Sequence, residues 1–270
     1  MEVRTQYVVA GVARRVGHGV KQRVLSVQDY ILLAWRGLHA LFTRPLYPRE
    51  IVNQMDHLGV ESLPIVVLTG MFTGMVLSLQ SAASLDAFGA RPYVGRLVAV
   101  SMVRELGPVL TALMVTGRVG SGMAAELGSM VVTQQIDALR VLGSDPIRKL
   151  VAPRLAAAVI MVPILTIISD MLGIFGGSLI SIFNLQLSWA YYWRSVANGL
   201  TVNDLVMGLT KPVMFGFITA TVGCHMGLQT TGGTQGVGLS TTRSVVVASV
   251  LILSSDFFMT KLLLLLFPVN

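Results

Sequence analysis

The chain has 270 residues, of which 53% are apolar and 12% are charged, whereas a soluble domain carries about 25% charged residues. This composition, with a mean hydropathy of +0.72, excludes a water-soluble globular protein and predicts an all-α membrane protein. The net charge of +7 comes from basic residues between apolar blocks, so it indicates membrane topology rather than nucleic-acid binding, and the single cysteine excludes an internal disulfide and a multi-cysteine metal site.

The segment before the first apolar block, residues 1–62, is predicted to be a cytoplasmic N-terminal segment, and it lacks the pattern of a cleavable signal peptide. Within it, apolar residues recur at helical spacing from Val24 to Phe42. A basic, tryptophan-bearing amphipathic helix of this kind is typical of the plane of the membrane interface. A short transmembrane helix is the alternative, but Asp29 and Arg36 interrupt its apolar character.

The rest of the chain, residues 63–270, is the predicted membrane domain of five transmembrane helices. Each of its five apolar blocks is long enough to cross a hydrocarbon core of about 30 Å, which takes about 20 helical residues. Outside the blocks, fourteen lysines and arginines lie on the side of the N-terminus and two on the other side, which places the N-terminus in the cytoplasm and the C-terminus outside. The blocks are approximately 63–85, 93–117, 155–183, 204–227 and 244–267.

The first crossing contains a GxxxG spacing formed by Gly70 and Gly74. Two glycines four residues apart lie on one face of a helix and allow another helix to approach closely. The spacing therefore predicts a tight helix interface, within the chain or between subunits. The alternative is chance, because a chain with 27 glycines generates such spacings.

The second crossing carries the adjacent charges Arg104 and Glu105 near its middle, where a charge costs about 2.5–3.5 kcal/mol on insertion scales. Neighbouring residues on a helix lie about 100° apart, so the two side chains do not simply neutralise each other. Two interpretations stay open for Arg104. It forms an interhelical ion pair with Asp170, Asp204 or Asp256, or it meets the anionic head group of a substrate.

The longest loop between crossings follows the second block, and residues 124–142 read as an amphipathic cytoplasmic helix of four to five turns. Such a helix is either a solvated surface element or a docking element for a cytosolic partner. Asp145 and Pro146 predict the N-terminus of the helix that leads into the third crossing. The polar residues of interest in this loop are Glu126, Gln135, Asp137, Arg140 and Asp145.

The chain has no GxxxxGK[S/T] nucleotide-binding motif. Its glycine tract, residues 232–238, is predicted to be a flexible cytoplasmic turn. Among the four histidines only His225 falls near the end of a crossing, so no nucleophile and base are paired by the sequence and we expect no catalytic residues. We also expect no metal and no cofactor in this chain.

A different class of function remains as the alternative, an ion- or proton-coupled carrier that works without an ATPase. Charged residues inside apolar blocks mark ion and proton pathways in many membrane proteins. The residues available for such a relay are Glu105, Asp170, Asp204, Lys211 and Asp256.

Several longer motifs closely resemble the MlaE/YrbE family of ABC-transporter permeases. They occur in the family's order and extend from about residue 45 to the C-terminus. The motifs are RELGP at 104–108, GRVGSGMAAELG at 117–128, QIDAL at 135–139, LGSDP at 142–146 and TTRSVV at 241–246.

This resemblance implies a homodimeric permease in the bacterial inner membrane that moves phospholipids and maintains outer-membrane lipid asymmetry. It also implies two kinds of partner, a cytosolic ABC ATPase that binds the ATP and a periplasmic Mce-domain lipid-binding protein. The loop from Glu126 to Leu142 becomes the coupling helix that receives the ATPase stroke. Arg104, Glu105 and Arg243 become residues of the lipid cavity.

Overall fold

The structure is a computed structural model that describes residues 24–43 and 47–266. In this part of the chain every regular element is a helix, so the fold is all-α as predicted. We number the helices α1 (24–42), α2 (Pro48–Asp86), α3 (Arg91–Val132), α4 (Gln135–Val141), α5 (Ile147–Phe183), α6 (Trp189–Gly199), α7 (Val202–Leu228) and α8 (Gly233–Leu266).

Five of these helices, α2, α3, α5, α7 and α8, are long and apolar enough to span a membrane. The shortest of them, α7, has 27 residues, and a rise of 1.5 Å per residue gives it a length of about 40 Å. The prediction of a multi-pass helical membrane protein with five crossings is therefore confirmed. The helix predicted over 24–42 is also present, and its position in the membrane interface stays a prediction.

The helix α7 lies at the centre of the bundle, whereas α8 lies at its edge. In their most apolar windows, 61% of the α7 residues are buried but only 11% of the α8 residues are. Hydrogen bonds join α3 to both of these helices. The hydroxyls of Thr219 on α7 and Thr116 on α3 lie 2.7 Å apart, and Ser244 of α8 donates to the Gly120 carbonyl of α3 at 3.2 Å. These polar contacts inside the bundle satisfy groups that lipid cannot.

Glycine lines the contact between α2 and α5. A Cβ atom on Gly70 would lie 2.7 Å from Ser169 Oγ, and a Cβ on Gly74 would overlap the backbone of Gly173. One turn further along, Ser78 and Ser181 share a buried hydrogen bond of 2.9 Å. The GxxxG face thus lies against α5 of the same chain, where small residues let two backbones touch.

The helix α3 is longer than the sequence analysis predicted, because it continues to Val132. The prediction of a single surface helix over 124–142 is therefore wrong. Residues 124–132 belong to α3, and only the short α4 is a separate helix. The break occurs at Gln134, whose backbone is left-handed with φ of 59°. The apolar side of residues 124–132 packs on α7, where a Cβ on Gly227 would lie 2.8 Å from Leu127 Cβ, so the amphipathic pattern reports helix packing.

Two other boundaries differ from prediction. The helix of the first crossing begins at Pro48, upstream of the apolar block that starts at residue 63, and a 3-10 turn at Val60–Ser62 lies inside this helix. The predicted boundary after residue 62 therefore falls within one continuous helix. The glycine tract is not a flexible turn throughout, since Gly232 and Gly233 have positive φ values of 88° and 67° but α8 already begins at Gly233.

The helix α1 packs against the ends of α5 and α7. Its buried Leu33 belongs to the main apolar core, and the hydroxyl of Tyr30 lies 3.0 Å from Thr221 Oγ1. The Tyr30 ring also meets the His225 ring edge-on, with centroids 5.5 Å apart. Burial raises the pKa of the Tyr30 phenol, so this residue is a neutral hydrogen-bonding anchor for α1.

We expect Gly74→Ala to lower the stability of the bundle, because the added methyl group overlaps the Gly173 backbone across the α2–α5 contact. Overpacking of this kind costs about 1–3 kcal/mol. The matched control is Gly117→Ala, since nothing lies within 4 Å of a Cβ at Gly117. Thermal unfolding in detergent measures both variants, and equal unfolding temperatures would contradict the close contact.

Candidate functional site

A cluster of charged side chains joins α3, α7 and α8, and it is built around an irregular turn of α3. Residues Met102–Leu106 form a π-helical turn, a geometry that often occurs at functional sites. Pro108 has no N–H to donate to the carbonyl of Arg104, four residues earlier. Lys211 of α7 donates to that carbonyl instead, at 3.0 Å from Nζ to O.

Lys211 also holds the carboxylates of two other helices. Its Nζ donates to Glu105 Oε2 at 2.6 Å and lies 3.1 Å from Asp256 Oδ1. The Thr260 hydroxyl, one turn beyond Asp256 on α8, donates to Glu105 Oε1 at 3.3 Å. The residue Lys211 is 1% exposed, so its charge is compensated almost entirely by these protein groups.

Arg104 pairs with Asp204 at the start of α7, and its Nε donates to Asp204 Oδ1. The other oxygen of Asp204 accepts from the backbone N–H of Thr201 at 2.8 Å, while the Thr201 hydroxyl accepts from the Asp204 N–H. This reciprocal capping box fixes the carboxylate at the first turn of α7. Of the two interpretations of Arg104, the structure therefore contains the interhelical ion pair, and the Arg104 side chain is still 24% exposed.

We call these five residues, Arg104, Glu105, Asp204, Lys211 and Asp256, the charged cluster. It contains three carboxylates and two cations, and Asp204 is fully buried. Removing one partner of a buried ion pair leaves an uncompensated charge at high cost. The cluster therefore sets the relative positions of three spanning helices.

Three residues of the charged cluster, Arg104, Glu105 and Lys211, line a cavity of about 240 Å³. The Glu105 side chain is 43% exposed and that of Arg104 is 24% exposed, so both reach this space. The cavity thus combines polar groups of both signs with an apolar wall, which suits an amphiphilic molecule. Its lining includes Val100, Arg104, Glu105, Lys211, Thr260 and Leu264.

Asp170 lies apart from the charged cluster, although the sequence analysis named it as a partner for Arg104. It lies on α5 against Gly107 of α3, where a Cβ atom would overlap its carboxylate. Its Oδ1 atom is buried and has no hydrogen-bond partner among the described residues. Arg243 is also distant, because it is exposed and thirteen residues, about 20 Å of helix, before Asp256 on α8.

The residues predicted to contact an ATPase lie in three different places. Gln135, Asp137 and Arg140 lie on the exposed face of α4, where Arg140 donates to Asp137 at 3.0 Å. Asp145 accepts from the Ile147 N–H at 2.9 Å and so caps the start of α5.

Glu126 has a different environment, because it pairs at 2.6 Å with Arg154 of α5. The Arg154 side chain is 4% exposed and that of Glu126 is 55% exposed. Sequence analysis did not find Arg154, since it lies at the edge of an apolar block in a region rich in basic residues. Glu126 therefore holds α3 to α5, and this contact separates it from the residues of α4.

No group of three or more histidine, cysteine, aspartate or glutamate side chains that could hold a metal ion occurs among the described residues. The fold and the charged cluster define a multi-pass helical membrane protein with a polar site inside its bundle. The arrangement provides ion pairs and a cavity beside them.

Comparison with known proteins identifies the family within this class. A sequence model of the family described as Permease MlaE matches residues 51–262. A probable ABC transporter permease of Rickettsia typhi is 40% identical over 93% of this chain and 97% of its own length. A probable ABC transporter permease of Synechocystis is 43% identical over 84% of this chain and 86% of its own.

The intermembrane phospholipid transport system permease protein MlaE of Haemophilus influenzae is 39% identical over 79% of this chain and 82% of its own. With the family match over 51–262, these similarities show that the chain belongs to the MlaE permease family.

We expect Lys211→Met to destabilise the bundle, because it leaves Glu105 and Asp256 without their cation and the Arg104 carbonyl without its donor. Breaking a buried ion pair in this way costs about 3–5 kcal/mol. The control is Lys261→Met on α8, where the lysine is exposed and makes no ion pair with the described residues. If both variants unfold at the wild-type temperature in detergent, the charged cluster does not stabilise the fold.

Proposed function

We propose that this chain is the permease subunit of an ABC transporter that moves phospholipids between the inner membrane and a periplasmic Mce-type lipid-binding partner, and so maintains outer-membrane lipid asymmetry. The observation that carries the proposal is the charged cluster beside a partly apolar cavity, in a chain of the MlaE permease family. A phospholipid has a charged head group and apolar chains, and such a cavity offers contacts to both. The Haemophilus relative, whose name specifies phospholipid transport, supports this substrate class.

The permease works as a homodimer in this proposal. The cavity of about 240 Å³ lies below the range of about 300–1,000 Å³ that encloses drug-sized ligands, so one chain does not enclose a lipid. An exposed apolar stripe runs along α8 at helical spacing and reaches Leu264, which lines the cavity. A second copy packed on this stripe would join two cavities into one. The stripe consists of Val246, Val250, Leu253, Phe257 and Leu264.

Energy enters from a separate cytosolic ATPase, since the sequence has no nucleotide-binding motif. The helix α4 is the proposed coupling helix, because its polar face is exposed and it follows directly on α3. A displacement of α4 by the ATPase would be transmitted along α3 to the charged cluster. Arg104 and Glu105 of α3 belong to that cluster and connect it to α7 and α8. The N-terminus is cytoplasmic and the C-terminus periplasmic in this arrangement, as the distribution of basic residues favours.

The head-group role has a specific form in this structure. Arg104 and Lys211 are both paired in the resting chain, so an incoming phosphate competes with Asp204 or Glu105 for a cation. Such an exchange breaks an ion pair between α3 and α7. Lipid binding would then change the contact between these helices and allow them to move. The same feature makes the cluster suitable for an ion-coupled carrier, the second candidate, which would transport without any ATPase.

We expect Arg104→Gln to lower ATP-driven phospholipid transfer at least tenfold, because an anionic head group loses its guanidinium partner. Glutamine is preferred to glutamate here, since a carboxylate at 104 would face Asp204. Transfer of a fluorescent phospholipid between vesicles holding the complex and acceptor vesicles measures the rate. The control is Arg91→Gln, whose ion pair with Asp86 is half exposed and worth at most about 1 kcal/mol.

Two results would contradict the proposed function. Wild-type transfer by Arg104→Gln would remove the head-group role of the charged cluster. Solute movement by the purified chain alone, with no ATPase present, would favour the ion-coupled carrier.

Asp137→Lys is expected to weaken binding of the ATPase at least tenfold without changing the unfolding temperature. The reason is that the Asp137 side chain is 68% exposed and, among the described residues, pairs only with Arg140 on the same helix, so its loss costs the fold little. Glu126→Gln is the contrasting variant, because it leaves the buried Arg154 unpaired and should lower stability instead. Co-purification of the ATPase and thermal unfolding distinguish the two, and undisturbed ATPase binding by Asp137→Lys would show that α4 is only a solvated helix.

A further inference from the structure

A second polar recess lies at the opposite end of the bundle from α4, where the start of α3 packs against α6. It has a volume of about 160 Å³, and its lining includes Tyr93, Arg96, Tyr191, Arg194 and Asn198. Arg96 comes from α3, whereas Arg194 comes from α6, so two separate elements bring their guanidinium groups to one recess. This recess is distinct from the charged cluster, with which it shares no residue.

Close backbone contacts hold the two helices that form the recess. A Cβ atom on Gly95 would lie 2.8 Å from the Tyr192 carbonyl, and a Cβ on Gly199 would lie 3.0 Å from Arg96 Cα. The Arg96 N–H also donates to Ser195 Oγ at 3.1 Å. The first carbons of the Arg96 side chain pack here as well, since a Cβ on Gly199 would lie 2.4 Å from Arg96 Cγ. Backbone packing and these carbons, which glutamine also has, therefore form the recess, and the guanidinium groups are not needed for its shape.

The charge of the recess is uncompensated. Neither Arg96 nor Arg194 makes an ion pair with any residue that the structure describes, and no aspartate or glutamate lines the recess. The acidic residue at the preceding helix end, Asp86, is paired with Arg91 at 2.5 Å. Two neighbouring guanidinium groups without a carboxylate favour an anion, and their planar donors match the oxygens of a phosphate.

The size and rim of the recess narrow the choice of anion. A cavity of about 150 Å³ holds a molecule as large as benzene, so a phosphate group fits but acyl chains do not. The chains would have to run outside along the bundle, where Leu97 is 38% exposed next to Arg96. Tyr93 and Tyr191 are 59% and 49% exposed at the rim, and tyrosines in this position are typical of the level of lipid head groups.

We propose that this recess binds the phosphate of a phospholipid head group through Arg96 and Arg194. Asn198 adds an amide donor at its edge, and Tyr93 and Tyr191 flank the glycerol region. The site holds a lipid at the end of the bundle opposite α4, which the proposed orientation places at the outer leaflet. It rests on the proposed function in taking the anion from a membrane lipid and in the orientation of the chain.

The test is an equilibrium titration of the purified chain in a maltoside detergent, with short-chain dihexanoylphosphatidylglycerol as the probe. The chain has three tryptophans, and in a Trp35→Phe background the remaining two, Trp189 and Trp193, both belong to α6 and report on the recess by fluorescence. We expect the double substitution Arg96→Gln and Arg194→Gln to weaken binding at least tenfold. The lysine versions of both substitutions should retain part of the affinity, and Arg91→Gln should bind as the wild type does.

Four outcomes overturn the proposal. If the double glutamine variant binds the lipid as tightly as the wild type, the arginines do not bind it. If dihexanoylglycerol, which has no phosphate, binds as tightly as the phospholipid, the recess does not recognise the phosphate. Inorganic phosphate that competes as strongly as the lipid would make the recess a site for the free anion. If the double glutamine variant loses binding of an external protein partner but titrates with the lipid as the wild type does, the recess is a docking surface for that protein.

The titration involves neither ATP nor an ATPase, so its failure differs from a failure of the proposed function. The Arg104→Gln transfer assay tests transport, whereas the fluorescence change tests occupancy of the recess. Both arginines are exposed and make no ion pair within the part of the chain that the structure describes, so unfolding temperatures within error of the wild type are expected for every recess variant.

Discussion

The ammonium group of Lys211 is the constraint on which this bundle depends. It lies 2.6 Å from Glu105, 3.1 Å from Asp256 and 3.0 Å from the Arg104 carbonyl, so one buried charge joins α3, α7 and α8. A charge in an apolar bundle is tolerated only with partners in place. Sliding any of these helices by one turn would separate Lys211 from a partner, and the cluster therefore sets their register.

Two backbone devices make this arrangement possible. The π turn at Met102–Leu106 and Pro108 leave the Arg104 carbonyl available to a side chain from α7. Gly208 lets α7 lie directly on this turn, because a Cβ atom there would overlap the Val103 carbonyl. The stabilising cluster and the proposed substrate site are thus one structure, and a ligand that takes one ion-pair partner acts on the contacts between helices.

The sequence predicted those parts of the site whose signal is local. Arg104 and Glu105 stand out because a charge within an apolar block needs a partner, and Asp204 and Asp256 were among the partners considered for Arg104. The pairing of Asp256 with Lys211 and the role of Thr260 were not predicted, because they depend on the rotation of α7 and α8 about their axes. The recess at Arg96 and Arg194 lies between residues almost a hundred positions apart, and no spacing rule connects them.

Composition and apolar block length alone determined an all-α membrane protein with five crossings, since about 20 apolar residues must span the hydrocarbon. The tertiary structure alone decided that residues 124–132 continue α3, because a helix that packs on a neighbour and a helix that lies on a membrane have the same amphipathic period. It also decided which carboxylate each cation meets. Periodicity records which face of a helix is apolar, whereas the partner of that face is set by packing between helices.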